Sequence, residues 1–327
     1  MRYIDLGSPD DNIRVSVLAL GTDYFGTTVN ESDAMSLMDA YTDAGGSCID
    51  TARSYASWLP GGAGASERTI GRWLKARGNR NRLIISTKGG YPGFKSMTEG
   101  RLSRKELEKD LDESLMTLGV DHIDIYWLHR DDASRPVEDI TETLSMFIKK
   151  GKVRAAGCSN WKAARVDEAL RAAQDKGFPA FCASQIQWSL AATTPEAYGD
   201  LTLVCMNDEE YGWYEKNSFP VFAYSSQAKG FFARGVSQGL GAISRKAYDR
   251  YAVPGNIARL ERVKRYAADN GITVTAAALG CITCNRVPGI AIIGCKNREQ
   301  LADSLTASDV DLPETDVEWL FRGNYNK

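Results

Sequence analysis

Eight short apolar runs recur along the 327 residues, at 15–20, 48–50, 83–88, 123–129, 154–159, 181–187, 221–226 and 290–294. Segments of helical spacing lie between them. Met35, Met38 and Tyr41 repeat on one helix face before Gly45-Gly46 stops it. Ser103 and Glu106 make a capping box ahead of Leu107, Leu111, Leu115 and Leu118, and Gly119 closes that helix. Val137, Ile140, Leu144 and Phe147 precede Gly151 in the same way, and Ile257, Leu260 and Val263 precede Gly271. Strand and helix in strict alternation predict an α/β fold with a parallel sheet covered by helices. An open doubly wound sheet shows the same alternation. One check favours closure into a (β/α)8 TIM barrel: the first run ends in Leu20-Gly21-Thr22-Asp23, not in the GxGxxG turn of a dinucleotide-binding open sheet. Ahead of it, Tyr3-Ile4-Asp5-Leu6 and Ile13-Arg14-Val15 flank a turn with Gly7 and Pro9, which predicts an N-terminal β-hairpin at the barrel bottom.

A single barrel domain routinely needs about 250 residues, so residues 1–327 read as one domain with loops and terminal additions. The 40 basic and 42 acidic residues nearly cancel and form no basic block, which argues against nucleic acid as a partner. The first residues lack a signal-peptide core, and no apolar run approaches the roughly 18 residues of a membrane span. A cytoplasmic protein with no membrane partner is expected. Seven scattered cysteines do not suit a disulfide framework, and Cys281 with Cys284 reads as two small residues on one helix face rather than half of a metal site.

Polar and charged residues ending successive strands are how a parallel barrel presents catalytic groups. Asp50, Lys88 and His129 end three of the runs, and Tyr55 follows the first of these closely. Together they suit carbonyl reduction, which needs a proton for the carbonyl oxygen. Free tyrosine titrates near ~10, too high for easy transfer at neutral pH. A neighbouring ammonium favours the phenolate, and a carboxylate holds that ammonium in place. Tyr55 is therefore expected as general acid, Lys88 as its activator lowering the phenol's pKa, Asp50 as the lysine's partner, and His129 as the donor orienting the carbonyl. His122, the other histidine, precedes the run that His129 ends. The two should sit at opposite ends of a strand, which excludes a shared metal site and makes His122 an exposed or capping residue. Asp131 and Asp132 read as a solvated loop.

These residues fall within a longer set of strings. Gly-Gly-Ser-Cys-Ile-Asp-Thr-Ala-Arg-Ser-Tyr at 45–55, Gly64 with Glu67 and Gly71, Ser86-Thr87-Lys88, Gly157-Cys158-Ser159-Asn160 and Ala223-Tyr224-Ser225 stand in the order and spacing of the aldo-keto reductase superfamily, which the chain resembles from about 13 to 306. The resemblance implies a (β/α)8 barrel binding NADP(H), with NAD(H) as the alternative, and reducing aldehydes, ketones or sugar-derived carbonyls. It also implies the cofactor contacts. Gly21, Thr22 and Asp50 lie at the first two strand ends; Ser159, Asn160 and Gln185 match positions that bind the nicotinamide amide, and Tyr224 the ring that stacks on it. Ser225, Gln227 and Gly230 match the loop under the pyrophosphate, and Gly294, Lys296, Asn297, Arg298 and Gln300 the adenosine-phosphate loop and helix start. Ser304 stands where many relatives carry asparagine against the adenine, and Gln300 where many NADP-specific members carry arginine. Lys296 and Arg298 remain as 2′-phosphate partners.

Among the aromatics, Tyr24, Trp58 and Trp161 are expected at the substrate mouth, with Phe25, Trp188 and Trp213 nearby, and the charged stretch 207–213 suits a polyol or sugar. The alternative function implied by the superfamily is that of the potassium-channel β subunits, cofactor-binding regulators with slow turnover.

Overall fold

In the computed structural model, residues 1–7, 12–93 and 96–323 are described. Ten strands are present among them: β1 (Tyr3–Leu6), β2 (Ile13–Ser16), β3 (Leu18–Gly21), β4 (Cys48–Asp50), β5 (Ile84–Gly89), β6 (Ile123–Leu128), β7 (Val153–Ser159), β8 (Ser184–Gln187), β9 (Val221–Tyr224) and β10 (Gly289–Gly294). β3 to β10 are parallel neighbours in chain order, and β10 pairs back onto β3, which closes an eight-stranded barrel. The fold is the (β/α)8 barrel. Strands buried on both faces explain why the apolar runs are continuous rather than alternating: all six residues of β6 are buried.

β1 and β2 pair antiparallel as the expected hairpin, and Leu6, Ile13 and Val15 pack onto Ala19, Cys48 and Ile290 inside the barrel. Its turn, with Pro9, lies outside the described residues. The run 15–20 is not one strand. Val15 pairs with Ile4 in the hairpin, whereas Leu18 pairs with Ala291 in the barrel. The chain turns between them because the Ser16 hydroxyl donates to Leu18 O at 2.7 Å and the Val17 amide donates to Arg2 O at 3.0 Å.

The helices begin where the caps indicated. Ser103 Oγ accepts from the Glu106 amide at 3.4 Å, and its hydroxyl donates to Glu106 Oε2 at 2.6 Å, so the glutamate's return bond goes to the hydroxyl. Leu107, Leu111 and Leu118 are buried on that helix, Arg104–Leu118. The stretch 188–219, which shows no periodicity in the sequence, holds two helices, Pro195–Tyr198 and Asp208–Asn217. Each is started by a side-chain cap, from Thr194 and Asn207. No helix among the described residues is long and apolar enough to cross a membrane. The seven cysteines are all free thiols. Cys281 is buried in the helix Val274–Thr283, and Cys284 Sγ lies 3.3 Å from both Val310 O and Leu312 N.

Trp127 and Phe222 meet edge to face inside the barrel, with ring centroids 4.9 Å apart. Gly157 on the adjacent strand makes room for that tryptophan: a Cβ there would lie 2.3 Å from Trp127 Cζ3 and 2.8 Å from Ala183 O. Gly157→Ala should therefore overpack the barrel beneath His129 and cost about 1–3 kcal/mol. Urea unfolding followed by tryptophan fluorescence checks this; an unchanged midpoint would mean that the ring has room to move.

Candidate active site

Because β3 to β10 are parallel, every residue that ends a strand comes to one rim. Asp50 ends β4, Lys88 lies one residue from the end of β5, and His129 directly follows β6. Lys88 is sealed in, and its ammonium uses three donors: Asp50 Oδ2 at 2.7 Å, Thr51 O at 2.8 Å and Tyr55 Oη at 2.7 Å. Asp50 is equally committed. Its Oδ1 accepts from Ser86 Oγ at 2.7 Å and Gln185 Nε2 at 2.9 Å, and Tyr55 Oη donates to Oδ2 at 3.1 Å. Tyr55 covers the buried pair and keeps part of its own surface open. His129 completes the group, its ring centroid 6.3 Å from that of Tyr55, and its Nδ1 lies 3.3 Å from Ser54 Oγ. The four residues singled out for carbonyl chemistry thus converge.

Their electrostatics depart from the simple expectation for the phenol. Burial pushes Tyr55 well above its ordinary value, and the Asp50 carboxylate adds to the rise. Lys88 does not bring it below the ordinary value, because Asp50 offsets much of the ammonium's field and burial outweighs the rest. Lys88 itself is lowered by burial, against the pull of Asp50. His129 is held well below its usual range by burial, with Arg130 and Lys88 adding positive charge nearby. It is a neutral imidazole with one N–H to donate.

The next strand ends form a connected polar surface. Asn160, at φ 59°, donates to Ser159 Oγ at 3.0 Å and accepts from Tyr224 Oη at 2.7 Å and the Val204 amide at 3.2 Å. Beyond β9, positive φ recurs at Ser225 (53°), Ala228 (46°), Lys229 (54°) and Gly230 (79°). Three of these are not glycine, so the loop stores strain; the Ala228 and Gly230 amides close its turns by donating to Ser225 O and Gln227 O, each at 2.8 Å. The helix Phe231–Gln238 starts at Gly230 with no side-chain cap, leaving its first N–H groups free of that partner. Gln227 ties this loop to the last one, donating to Ser304 Oγ at 2.9 Å and accepting from the Gly294 amide at 3.1 Å.

Several anticipated contacts point elsewhere. Ser304 is fully buried and donates to Gln300 O at 2.7 Å, so its hydroxyl is not presented at the rim. Gln300 braces the loop by accepting from the Lys296 amide at 2.9 Å, and Asn297 caps the helix by accepting from the Gln300 amide at 2.9 Å. The Arg298 guanidinium donates to Ser36 O at 2.9 Å, while Lys296 Nζ stands 5.5 Å from the Tyr24 ring centroid. Thr22 is buried with its hydroxyl on Asp50 O at 2.9 Å, and a Cβ on Gly21 would meet Ile292 at 2.8 Å.

Of the aromatics, Tyr24 and half-exposed Trp58 meet edge to face at 6.4 Å by the rim. Trp161 is fully buried against Phe181, with centroids 5.4 Å apart, and is core packing. Phe25 and Trp188 are buried as well, and Trp213 packs on Phe219, just ahead of β9 and toward the opposite end of the barrel. Asp131 and Asp132 are not a solvated loop. Asp132 is buried and accepts from Ser134 Oγ at 2.5 Å; Asp131 pairs with Arg165 at 3.5 Å, and burial raises its carboxyl.

Sequence reasoning missed three residues here. Tyr91 packs on His129 at 4.7 Å, and Arg130 lies 5.6 Å from the Tyr91 ring. Arg130 is buried and holds the loop after β8 through Asp200 at 3.2 Å and Thr202 Oγ1 at 3.0 Å. Asp23 follows Gly21-Thr22 at the end of β3. Burial pushes its carboxyl up to about 6, and Lys229 and then Lys88 oppose that rise most. Position at a strand end was the available signal for Asp23; nothing in the sequence marked Tyr91 or Arg130.

The raised Asp23 carboxyl makes the native protein bind more protons than the unfolded chain between about pH 4 and 6, so its relative stability falls as pH rises through 6. Asp23→Asn should match wild type below about pH 4 and gain on the order of 1–3 kcal/mol by pH 8. Urea midpoints of both proteins at the two pH values check the sign; a variant that is less stable at pH 8 would show that the carboxylate is held by a favourable partner.

Residues 17–320 match the model of the aldo/keto reductase family. The chain is 28% identical to a norsolorinic acid reductase of Emericella nidulans over 95% of this chain and 78% of the relative. It is 28% identical to the oxidoreductase YrpG of Bacillus subtilis over 95% and 92% of the two chains. A probable voltage-gated potassium channel subunit beta of Oryza sativa is 26% identical over 95% and 92%. The chain belongs to the aldo/keto reductase family. The family and the relatives named as reductase and oxidoreductase support oxidoreductase activity.

Proposed function

We propose that the protein is an NADP(H)-dependent reductase of an aldehyde, ketone or sugar-derived carbonyl, with residues 1–327 acting as one catalytic barrel and Tyr55 as the general acid. The observation that carries the reading is the buried set in which Lys88 Nζ lies 2.7 Å from both Asp50 Oδ2 and Tyr55 Oη. A barrel hydrolase or lyase gives that phenol and ammonium no task.

The rim suits a dinucleotide. Ser159 and Asn160 at the end of β7 and Gln185, level with Ser159 on β8, offer amide and hydroxyl groups, Tyr224 offers a ring face, and the strained loop 225–230 offers a pyrophosphate the backbone N–H groups not used in its own turns. Lys296 and Arg298 flank the start of the helix Arg298–Leu305, where a 2′-phosphate gains from both charge and free N–H groups. Ser304 is left out of the adenine contacts because its hydroxyl is used internally. When bound, a reduced nicotinamide supplies the hydride.

The chain's own residues handle the proton. Neutral His129 donates its N–H to the carbonyl oxygen and sets its direction. Tyr55 gives its phenolic proton to the same oxygen as negative charge develops there, and Lys88 answers the charge left on Tyr55 through their 2.7 Å contact. Asp50 holds Lys88 from below. Asp23 and Trp58 at the mouth favour a hydroxylated substrate, the carboxylate as an acceptor for hydroxyl groups and the indole as an apolar platform.

Tyr55→Phe keeps the ring and removes the proton. Its kcat for reduction should fall by more than about 100-fold with NADPH affinity nearly unchanged. Stopped-flow turnover and cofactor titration measure the two separately; retention of more than about a tenth of wild-type turnover, with chemistry limiting, would falsify the assignment. The potassium-channel relative supports a second reading, a cofactor-binding regulator. Wild-type protein that binds NADPH yet oxidises it negligibly across a carbonyl panel would favour that reading.

Charge at the 2′-phosphate gives a separate expectation. Lys296→Ala with Arg298→Ala should weaken NADPH by roughly 1.5–3 kcal/mol and leave NADH almost unaffected. Equal losses in calorimetric titrations would show that the pair supports the loop, as the Arg298 bond to Ser36 O already does in part.

A further inference from the structure

At the end of the barrel opposite the rim, a cleft of about 630 Å³ opens between the strand β2, the turn Arg80–Arg82 and the starts of β5 to β7. Arg14, Arg80, Arg82, Arg154 and His122 line it, and among the described residues the one acidic side chain in its wall is Asp124. Asp124 is fully buried and already doubly engaged, by Arg80 Nη2 at 2.8 Å and Arg154 Nη1 at 2.6 Å, and its Oδ2 also accepts from the Ile85 amide at 2.8 Å. One carboxylate therefore balances two guanidinium groups. Arg14 lies 5.1 Å from the Tyr3 ring centroid, and neither it nor Arg82 joins an ion pair among the described residues. Arg80 is further fixed by donating to His122 O at 2.8 Å and Leu83 O at 3.1 Å, while its Nε meets no acceptor among the described residues.

We propose that this arginine cleft is a binding site for a small phosphate-bearing anion, separate from the reductase rim. Guanidinium groups present planar, paired N–H donors that match phosphate oxygens, and here their anchoring is built in, because Asp124 and two carbonyls hold Arg80 and Arg154 in place before any ligand arrives. Among the described residues, no further acid neutralises Arg14 or Arg82 in an ion pair. The acidic residues at its margins are Asp5, opposite Arg14 in the β1–β2 register, and exposed Asp121 beside His122; neither reaches between the arginines in an ion pair among the described residues. His122 reports the field: burial and then Arg80, with Arg154 adding to it, hold its imidazole below the usual range against Asp124 and Asp121. The anion would bridge Arg82, Arg14 and the free edge of Arg154.

The chain's two histidines make the test direct, since His122 lies at this cleft and His129 at the rim. Inorganic pyrophosphate is titrated at pH 7 and constant ionic strength while the two imidazole signals are followed by NMR. Saturable movement of His122 with His129 unmoved is expected, with affinity reduced about tenfold or more in Arg14→Ala with Arg82→Ala, which leaves the Asp124 pairs intact. A phosphomonoester, titrated in parallel, should compete if organic phosphates are the ligand class; its failure with pyrophosphate still binding restricts the site to inorganic anions. Movement of His129 alone would put the anion on the rim and overturn the proposal. So would a His122 shift that sodium chloride reproduces, or one that the double variant leaves unchanged.

Discussion

The buried ion pair between Asp50 and Lys88 is the constraint around which the rim is arranged. Both side chains are about 1% exposed, and neither charge has access to bulk water. Such a pair is tolerable only when the protein replaces the lost hydration, because Coulomb attraction alone rarely offsets the desolvation of two ions. Here the replacement is complete: three acceptors for the ammonium, and donors from Ser86, Gln185 and Tyr55 for the carboxylate beyond the lysine itself. Those groups come from β4, β5, β8 and the turn after β4. The pair therefore locks the relative heights of several strands, with Asp50 opposite Ser86 in the ladder. Leaving either charge alone in this place costs about 3–5 kcal/mol, so structure and chemistry rest on the same two residues.

The same neutralisation sets the character of the phenol. An isolated ammonium beside Tyr55 would draw its proton off; an ammonium already paired with Asp50 cannot, and burial then dominates. The result is a tyrosine that holds its proton firmly; in the proposed reduction it would release that proton only to a stronger base, such as a carbonyl oxygen gaining negative charge. Asp23 adds a second carboxylate to this neighbourhood, and burial raises its carboxyl to about 6 against the pull of Lys229 and Lys88. Local cost of this kind is common where a surface is shaped for a ligand. The strained loop at 225–230 shows it in the backbone, as Asp23 does in charge.

How much of this was legible in the sequence depended on what fixes each side chain. Asp50, Lys88 and His129 were readable because a strand's end defines both a place and a direction. The barrel was readable for the same reason, as continuous apolar runs separated by capped helices. Residues on the loops gave no such guide. Trp161 follows β7 as Asp131 follows β6, yet the ring turns outward onto Phe181 and the carboxylate onto Arg165, choices made by neighbours distant in the chain. Trp213 was misplaced because its helix opens with Asp208-Glu209-Glu210 and carries no continuous apolar stripe. The run 15–20 hid a boundary between two sheets, since both bury apolar side chains and only Ser16 marks the turn.

β6 shows how the two ends of the barrel depend on each other. At its start, Asp124 gathers Arg80 and Arg154 and accepts the Ile85 amide at 2.8 Å; just past its end, His129 faces the rim. The Ile85 contact fixes the lower part of β5, and Lys88 lies three residues further up the same strand. A strand rises about 3.3 Å per residue with little compliance along its length, so holding Ile85 sets the height at which Lys88 meets Asp50 and Tyr55. The arginine cluster at the bottom thus has a structural task as well as a surplus of charge: the carboxylate that collects the arginines also holds the strand that carries Lys88. Two guanidinium groups, from Arg80 and Arg154, in turn compensate the buried charge of that acid.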